Sequence, residues 1–473
     1  MDVCLQCHLE TTSRSLPHAI RVPERAPFSY AAGEPLLDFR LDFDAPQGNQ
    51  AFDIAHAGYR LRQSPCYLKS GDKLRCTTCH DPHDIPRGEA ASASYNAQYN
   101  SKCASCHPAG SIKTEVSAHQ AGADCVSCHM PKRRTDDVVH VVMTDHYIQR
   151  RKPAGDLLAQ KTEPPESEET AYRGEVVRYS PSPRPSTPRD TLIAAIAQVR
   201  DRANLAAGVP KLAALVKQPP DNAAYYGELA QGFRFAGDLS NAIENYREAA
   251  KRDRSSYRLA QLGNALMEAR QFPEAERTLR EATALAPNEP VAWATLGWVL
   301  WQEDKSTDAQ AALQRSLQLD PELPESHNNL ASVLWGSGQQ DAALSEYREA
   351  LRIQPGVADW RINLARALAS RGQTAEAQRE ATEAARLAPN SADAHELSGA
   401  LMISQGNPSG GIAELETAVR LQPDFGPAQY ELGIALGQRG DTSRAVEHLR
   451  AALAGRDPEA AAAARQVLQT LRP

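Results

Sequence analysis

The last 345 residues of this 473-residue chain contain no cysteine; all nine lie between Cys4 and Cys128. So lopsided a distribution excludes a disulfide framework spread through the molecule and confines thiol chemistry to the first third. No stretch approaches the roughly 18–20 apolar residues of a membrane helix. An excess of basic charge is missing too. Net charge is −7, and residues 1–150 hold 16 Lys+Arg against 17 Asp+Glu, which leaves no footprint for nucleic acid. No basic-then-apolar leader precedes Cys4.

What the first third does contain is Cys-x-x-Cys-His, written four times. The copies are Cys4, Cys7 and His8; Cys76, Cys79 and His80; Cys103, Cys106 and His107; and Cys125, Cys128 and His129. Two thiols one helical turn apart reach the two vinyl groups of one porphyrin and become thioethers. The imidazole beside the second thiol then falls under the iron. Four covalently attached c-type haems are therefore expected, with His8, His80, His107 and His129 as proximal ligands. Zinc is the rival. The spacing of Cys106 and Cys125 suits two zinc knuckles, but four thiolates complete such a site and leave the imidazoles without a task. Cys66 is the odd thiol, with no second free cysteine to pair with, and reads as buried or incidental.

Each iron needs a sixth ligand from elsewhere. Ten of the thirteen histidines sit in the first third, and only His327, His395 and His448 lie beyond it. His83, His119, His140 and His146 are the stronger distal candidates, His18 and His56 the weaker, and Met143 a minor thioether candidate. His83 follows His80 too closely to reach over its own porphyrin and should serve a neighbour. Lys132, Arg133 and Arg134, and Arg150, Arg151 and Lys152, could pair with propionates or be solvated.

Residues 1–152 thus read as a loop-rich haem domain, with short helices at the motifs, little sheet, and porphyrins filling much of the core. Residues 153–189 read as a Pro-rich linker, with an edge strand at Val176 and Val177. Beyond them the chain repeats. Pro287, Pro321, Pro355, Pro389 and Pro423 are spaced by 34 residues, as are Gly263, Gly297, Ala331, Ala365, Gly399 and Gly433, and Gly338, Gly372, Gly406 and Gly440. A 34-residue period is the tetratricopeptide signature, each unit a helical hairpin. Seven repeats run over 223–459, after a degenerate hairpin at 190–222 and before a capping helix at 460–473. The fold class is mostly α, a cytochrome domain followed by an α-solenoid. Helix A positions 2, 5, 9 and 12 line the concave face, where Trp298, Trp301 and Trp335 are expected as an exposed, partner-binding cluster. Trp293, at position 4, is expected to pack between helices.

At the four motifs, at the Cys-His-x-Pro-His form ending in His83, and at Met143-Thr-Asp-His146, the chain resembles the periplasmic multihaem c-type cytochromes. That group includes bis-His tetrahaem electron carriers and multihaem nitrite and hydroxylamine enzymes. The resemblance covers roughly residues 1–152 and implies electron transfer between haems, with redox proteins as partners and a protein or peptide in the repeat groove. The alternative it implies is an oxidoreductase acting on a small nitrogen or sulfur oxyanion at one five-coordinate haem. No Cys-x-x-Cys-Lys motif, which some of those enzymes carry, occurs here. Haem attachment is extracytoplasmic, so the chain is expected in the bacterial periplasm. Its start is expected to be truncated or misassigned, with further motifs upstream.

Overall fold

The computed structural model describes residues 19–25, 29–31, 34–44, 46, 57–71, 73–80, 89–108, 124–136, 140–151, 153–161, 174–178, 187–217 and 222–470. They form two units, Met1–Arg254 and Ser255–Pro473.

The apolar core of the first unit lies between a small sheet and the helices that follow it. Strand β1 (Ala19–Arg21) pairs antiparallel with β2 (Arg40–Asp44), placing Ile20 opposite Leu41. Two further short strands, β3 (Lys132–Arg134) and β4 (Val142–Thr144), pair with each other, Arg133 opposite Met143. Strand β5 (Val177–Arg178) closes the first sheet by pairing antiparallel with the other side of β2. The edge strand read from Val176 and Val177 is therefore present, beginning at Val177. Ile20, Val22, Leu41, Phe43 and Val176 bury their side chains against Leu192, Ile193, Ile196, Leu212, Tyr225 and Leu229. Each such burial contributes about 1.5–3 kcal/mol. The main chain at Val176 has a side-chain partner, since Gln198 Nε2 donates to its carbonyl at 2.6 Å.

Helix Pro188–Val199 starts where it does because Thr187 and Asp190 cap it reciprocally, with Pro188 in the first turn. Its Leu192, Ile193 and Ile196 face the sheet. Helices Leu205–Leu215, Ala223–Phe235 and Leu239–Arg252 complete the unit. Glu24 joins its early and late parts: Arg189 pairs with the carboxylate at 2.9 Å and Tyr225 donates to it at 2.6 Å. Side chains from the sheet and from residues 192–229 supply the described apolar core of this unit.

Unit 2 is a solenoid-like stack of helical hairpins. Helices A begin at Ser256, Pro290, Pro324, Ala358, Ala392 and Gly426, helices B at Phe272, Ser306, Gln340, Thr374, Pro408 and Thr442, and Pro458–Thr470 follows. Each hairpin turns through a left-handed residue at position 15. Gly338, Gly372, Gly406 and Gly440 supply it with φ between +72° and +85°, but Arg270 and Asp304 hold φ of 57° and 60° without glycine. At position 8 helix A meets helix B so closely that a Cβ on Gly399 would come within 2.8 Å of the Gly411 carbonyl oxygen.

A polar clasp recurs at position 4, where the side chain bonds the carbonyl of the proline that ended the previous repeat. Trp293 Nε1 bonds Pro287 O at 3.0 Å, His327 Nε2 bonds Pro321 O at 3.0 Å, and Arg361 NH2 bonds Pro355 O at 2.9 Å. His395 and Gln429 do the same to Pro389 and Pro423. The other end of the clasp often reaches position 23: His327 Nδ1 to Glu346 and His395 Nδ1 to Glu414, each at 2.5 Å, and Arg361 to Glu380. Two of the three histidines outside the first third are thus clasps between repeats. The third, His448, sits at position 23 and bonds Gln429 at 2.7 Å.

Asp304→Gly should relieve the left-handed strain and raise the melting temperature, by about 0.5–1 kcal/mol after the entropy cost of glycine. A lowered melting temperature would show that Asp304 contributes more at that turn than its backbone costs.

Candidate functional site

Three of the four motifs fall among the described residues. Cys4, Cys7 and His8 lie outside them, as do His18, His56, His83 and His119.

In each described motif both thiols sit on one helical turn. Helix Cys76–Cys79 is a single turn, whose Thr78 Oγ1 accepts from Arg75 N at 2.9 Å. Cys103 and Cys106 occupy the last turn of Glu89–Cys106. Helix Cys125–His129 is capped by Asp124, which accepts from Val126 N at 3.0 Å. Asn100 Oδ1 accepts from Cys125 N at 3.0 Å and so joins the second of these helices to the third. The motifs converge, and the thiols feel one another. Partial desolvation, then Cys125, Cys79 and Cys66, push the Cys103 thiol up to about 11. Burial likewise raises Cys66 and Cys79. Thiols pushed upward are poor metal thiolates. Among the described residues, no three His, Cys, Asp or Glu side chains converge to hold a metal ion.

Backbone contacts orient two of the imidazoles. His129 Nδ1 lies 2.6 Å from Gln149 O, and His146 Nδ1 lies 3.0 Å from Thr144 O. His80 meets Tyr99 edge-on at 5.6 Å between ring centres, and His146 at 6.0 Å with the planes 35° apart. Burial pushes the His80 imidazole down, toward its neutral form. His107 and His140 are exposed, and Met143 is half-buried in β4. Of the basic run, Arg133 pairs with Asp145 at 3.3 Å and Arg134 Nε donates to Leu158 O at 3.0 Å.

One buried ion pair fixes this whole region. Asp145 is fully buried and accepts from Arg60 Nε at 3.0 Å and Arg60 NH2 at 2.7 Å. The amide of Tyr147 donates to it at 2.9 Å. Burial alone would raise the Asp145 pKa, but the hydrogen bonds and charge of Arg60, with Tyr147 and Arg133, hold it below the usual carboxylate range. The sequence offered no signal for this pair beyond a polar residue beside His146.

The expected exposed tryptophan cluster is corrected by the packing. Trp298, Trp301 and Trp335 are all half-buried. Trp301 lies against Gly336 of the next repeat, its Cη2 only 2.2 Å from where a Cβ on that glycine would stand. Trp335 packs on the core around Tyr347, Leu364 and Leu368. Position 12 faces the neighbouring repeat, so large rings there serve the stack. Glycine at 336 is the sequence signal that could have shown it. On the helix A face further along, desolvation pushes the Glu396 carboxyl up to about 7; Asp393 and Glu431 add to this and Arg366 opposes it.

Residues 179–401 match the family described as the cilia and flagella-associated protein 70 C-terminal domain, and residues 430–466 match the tetratricopeptide repeat. No curated protein matches the chain. Among solved structures, the Cut9–Hcn1 hetero-tetramer of the APC/C is 18% identical over 53% of this chain, with a TM-score of 0.43. The match spans about half (53%) of that chain's length. The MamA crystal structure is 24% identical over 33% of this chain and 93% of its own, with a TM-score of 0.30. MamA 41-end from Desulfovibrio magneticus RS-1 is 18% identical over 35% and 93%, with a TM-score of 0.33.

Asp145→Asn should cost about 3–5 kcal/mol, because it strands the buried Arg60 guanidinium. The Asp145 pKa is depressed in the folded state, so its contribution is present at neutral pH and fades as pH falls below the ordinary carboxylate range. Acid unfolding curves of wild type and variant should therefore converge at low pH. Parallel curves would remove Asp145 as the source. Trp301→Ala with Trp335→Ala should lower the melting temperature clearly, at about 2–3 kcal/mol per ring. An unchanged melting temperature would return these rings to the surface.

The C-terminal part of the chain is a stack of tetratricopeptide-like helical hairpins, and its residues 430–466 match the tetratricopeptide repeat.

Proposed function

We propose that the chain is a multihaem c-type cytochrome that passes electrons between four covalently attached haems, with the repeat array docking its protein partners. The observation that carries this reading is the fourfold Cys-x-x-Cys-His. The described residues fit that group in two respects. Paired thiols share one helical turn in all three described motifs, the spacing that two vinyl groups require. His129 and His146 each engage a main-chain carbonyl through Nδ1, the support that fixes the tautomer and aim of a ligating imidazole. The motif segments 73–80, 97–108 and 124–130 have no buried residue of their own, and porphyrin faces would cover them.

When bound, c-type haem supplies one-electron chemistry. The chain's own residues attach it, aim imidazoles at it and hold the segments in place. Six histidines besides the motif ones are enough to fill every sixth position, which favours electron transfer over a substrate-binding iron. Attachment of this kind places the protein outside the cytoplasm, in the bacterial periplasm. Partners of the array would be proteins or peptides, redox proteins among them.

Directed to the periplasm with c-haem maturation factors, the chain should carry four haems by pyridine haemochrome. Cys103→Ala with Cys106→Ala should carry three. Protein that matures with no covalent haem, or full loading in the cytoplasm without those factors, would overturn the reading. A high-spin iron in the oxidised wild type would turn it toward the oxyanion oxidoreductase.

A further inference from the structure

We propose that His80 and His146 are the two axial ligands of a single iron, that of the haem attached at Cys76 and Cys79. The pairing rests on the haem reading above and deepens it, because the motif alone names one ligand and leaves the other open.

The distance between the rings is the first argument. Their centres are 6.0 Å apart. Metal–imidazole bonds of about 2.0 Å, with about 1.1 Å from Nε2 to the ring centre, put two trans imidazoles about 6 Å apart. Packing alone would favour offset stacking or an edge-to-face arrangement. The observed planes are 35° apart, which is neither.

The second argument is the tautomer. His146 Nδ1 meets the Thr144 carbonyl at 3.0 Å, and a carbonyl can only accept. Nδ1 must therefore carry the proton, which puts the ring's lone pair on Nε2. The third is preorganisation. Lys132 pairs with Thr144 across the β3–β4 ladder, Asp145 N donates to Pro131 O at 3.0 Å, and the Asp145 carboxylate is clamped by Arg60. The residue on which His146 follows is among the most firmly held of the unit. On the other side Tyr99 rests edge-on against His80.

The test uses the full chain, exported and haem-loaded. His146→Ala should keep four haems by pyridine haemochrome while one iron in four turns from low to high spin in the electron paramagnetic resonance spectrum. Added imidazole should restore it. His146→Met should remain low-spin and raise the potential of one haem only, which distinguishes lost ligation from general damage. To identify the haem, Cys76→Ala, Cys79→Ala and His80→Ala are combined. In that three-haem protein His146→Ala should produce no high-spin iron. Four low-spin irons in the single variant, or a high-spin iron that still forms in the three-haem background, would overturn the pairing and leave the haem reading standing. Absence of covalent haem from the wild type would overturn the haem reading, and the pairing with it.

Discussion

A buried carboxylate must have its charge met, and the motif-bearing part of this protein is organised around one. Asp145 has no solvent exposure, and its two oxygens are met by Arg60, Arg133 and the Tyr147 amide. An ion of this kind tolerates no slack, because an unpaired buried charge costs several kcal/mol. Everything that answers it is therefore fixed: helix Ala57–Gln63 through Arg60, strand β3 through Arg133, and the segment leading into His146. The neighbouring Tyr59 extends the same helix to the sheet by donating to Asp44 of β2. The motif segments 73–80, 97–108 and 124–130 contain no buried side chain, and beside them such polar nodes do what an apolar core does elsewhere.

The second unit depends on repetition. Its hairpins are held by small residues at position 8, by a left-handed turn at position 15 and by the clasp from position 4 to the preceding proline carbonyl. The clasp satisfies a carbonyl in the connection just past the end of helix B, where no helical ladder reaches it. It also explains why tryptophan, histidine, arginine and glutamine can share one repeat position. All four carry a side-chain N–H that reaches about the same distance.

That contrast decides what could be read beforehand. The repeat array was legible because its determinants are local and return every 34 residues, so Pro321 and Gly338 could be seen doing what Pro355 and Gly372 do. Position 4 reads as an interior site from the pattern alone, whereas Trp293 is half-buried there and its indole N–H is engaged by the Pro287 carbonyl. The partners at position 23 could have been found, since Glu346, Glu380 and Glu414 recur in register with His327, Arg361 and His395. The setting of the tryptophans at position 12 is not legible from one helix face, because it depends on the helix stacked on it. Around the motifs, chemistry was legible and geometry was not. Nothing local relates Arg60 to Asp145, or His80 to His146, because each pair is brought together only by the tertiary fold.

The division of the chain also differs from the one its composition suggests. Pro-rich residues 153–189 contain β5, the carbonyl of Leu157 that accepts from Arg134 N at 2.9 Å, and the Thr187 cap of the next helix. Glu24, near the start of the described chain, is shared by Arg189 and by Tyr225 of the first repeat. Desolvation would raise its pKa, but those two donors hold it below the ordinary carboxylate range, so it is ionised where it meets Arg189. Sheet, leading hairpin and first repeat thus share one core and one ion pair, and they form a single unit up to Arg254. Under the haem reading this has a functional consequence. Electron transfer falls steeply with distance, so a docking surface is useful to a cytochrome only where it is rigidly related to the haems. In this chain the first repeat shares its core with the sheet, and the sheet is tied to the motif-bearing part by the hydrogen bond that Tyr59 donates to Asp44 of β2.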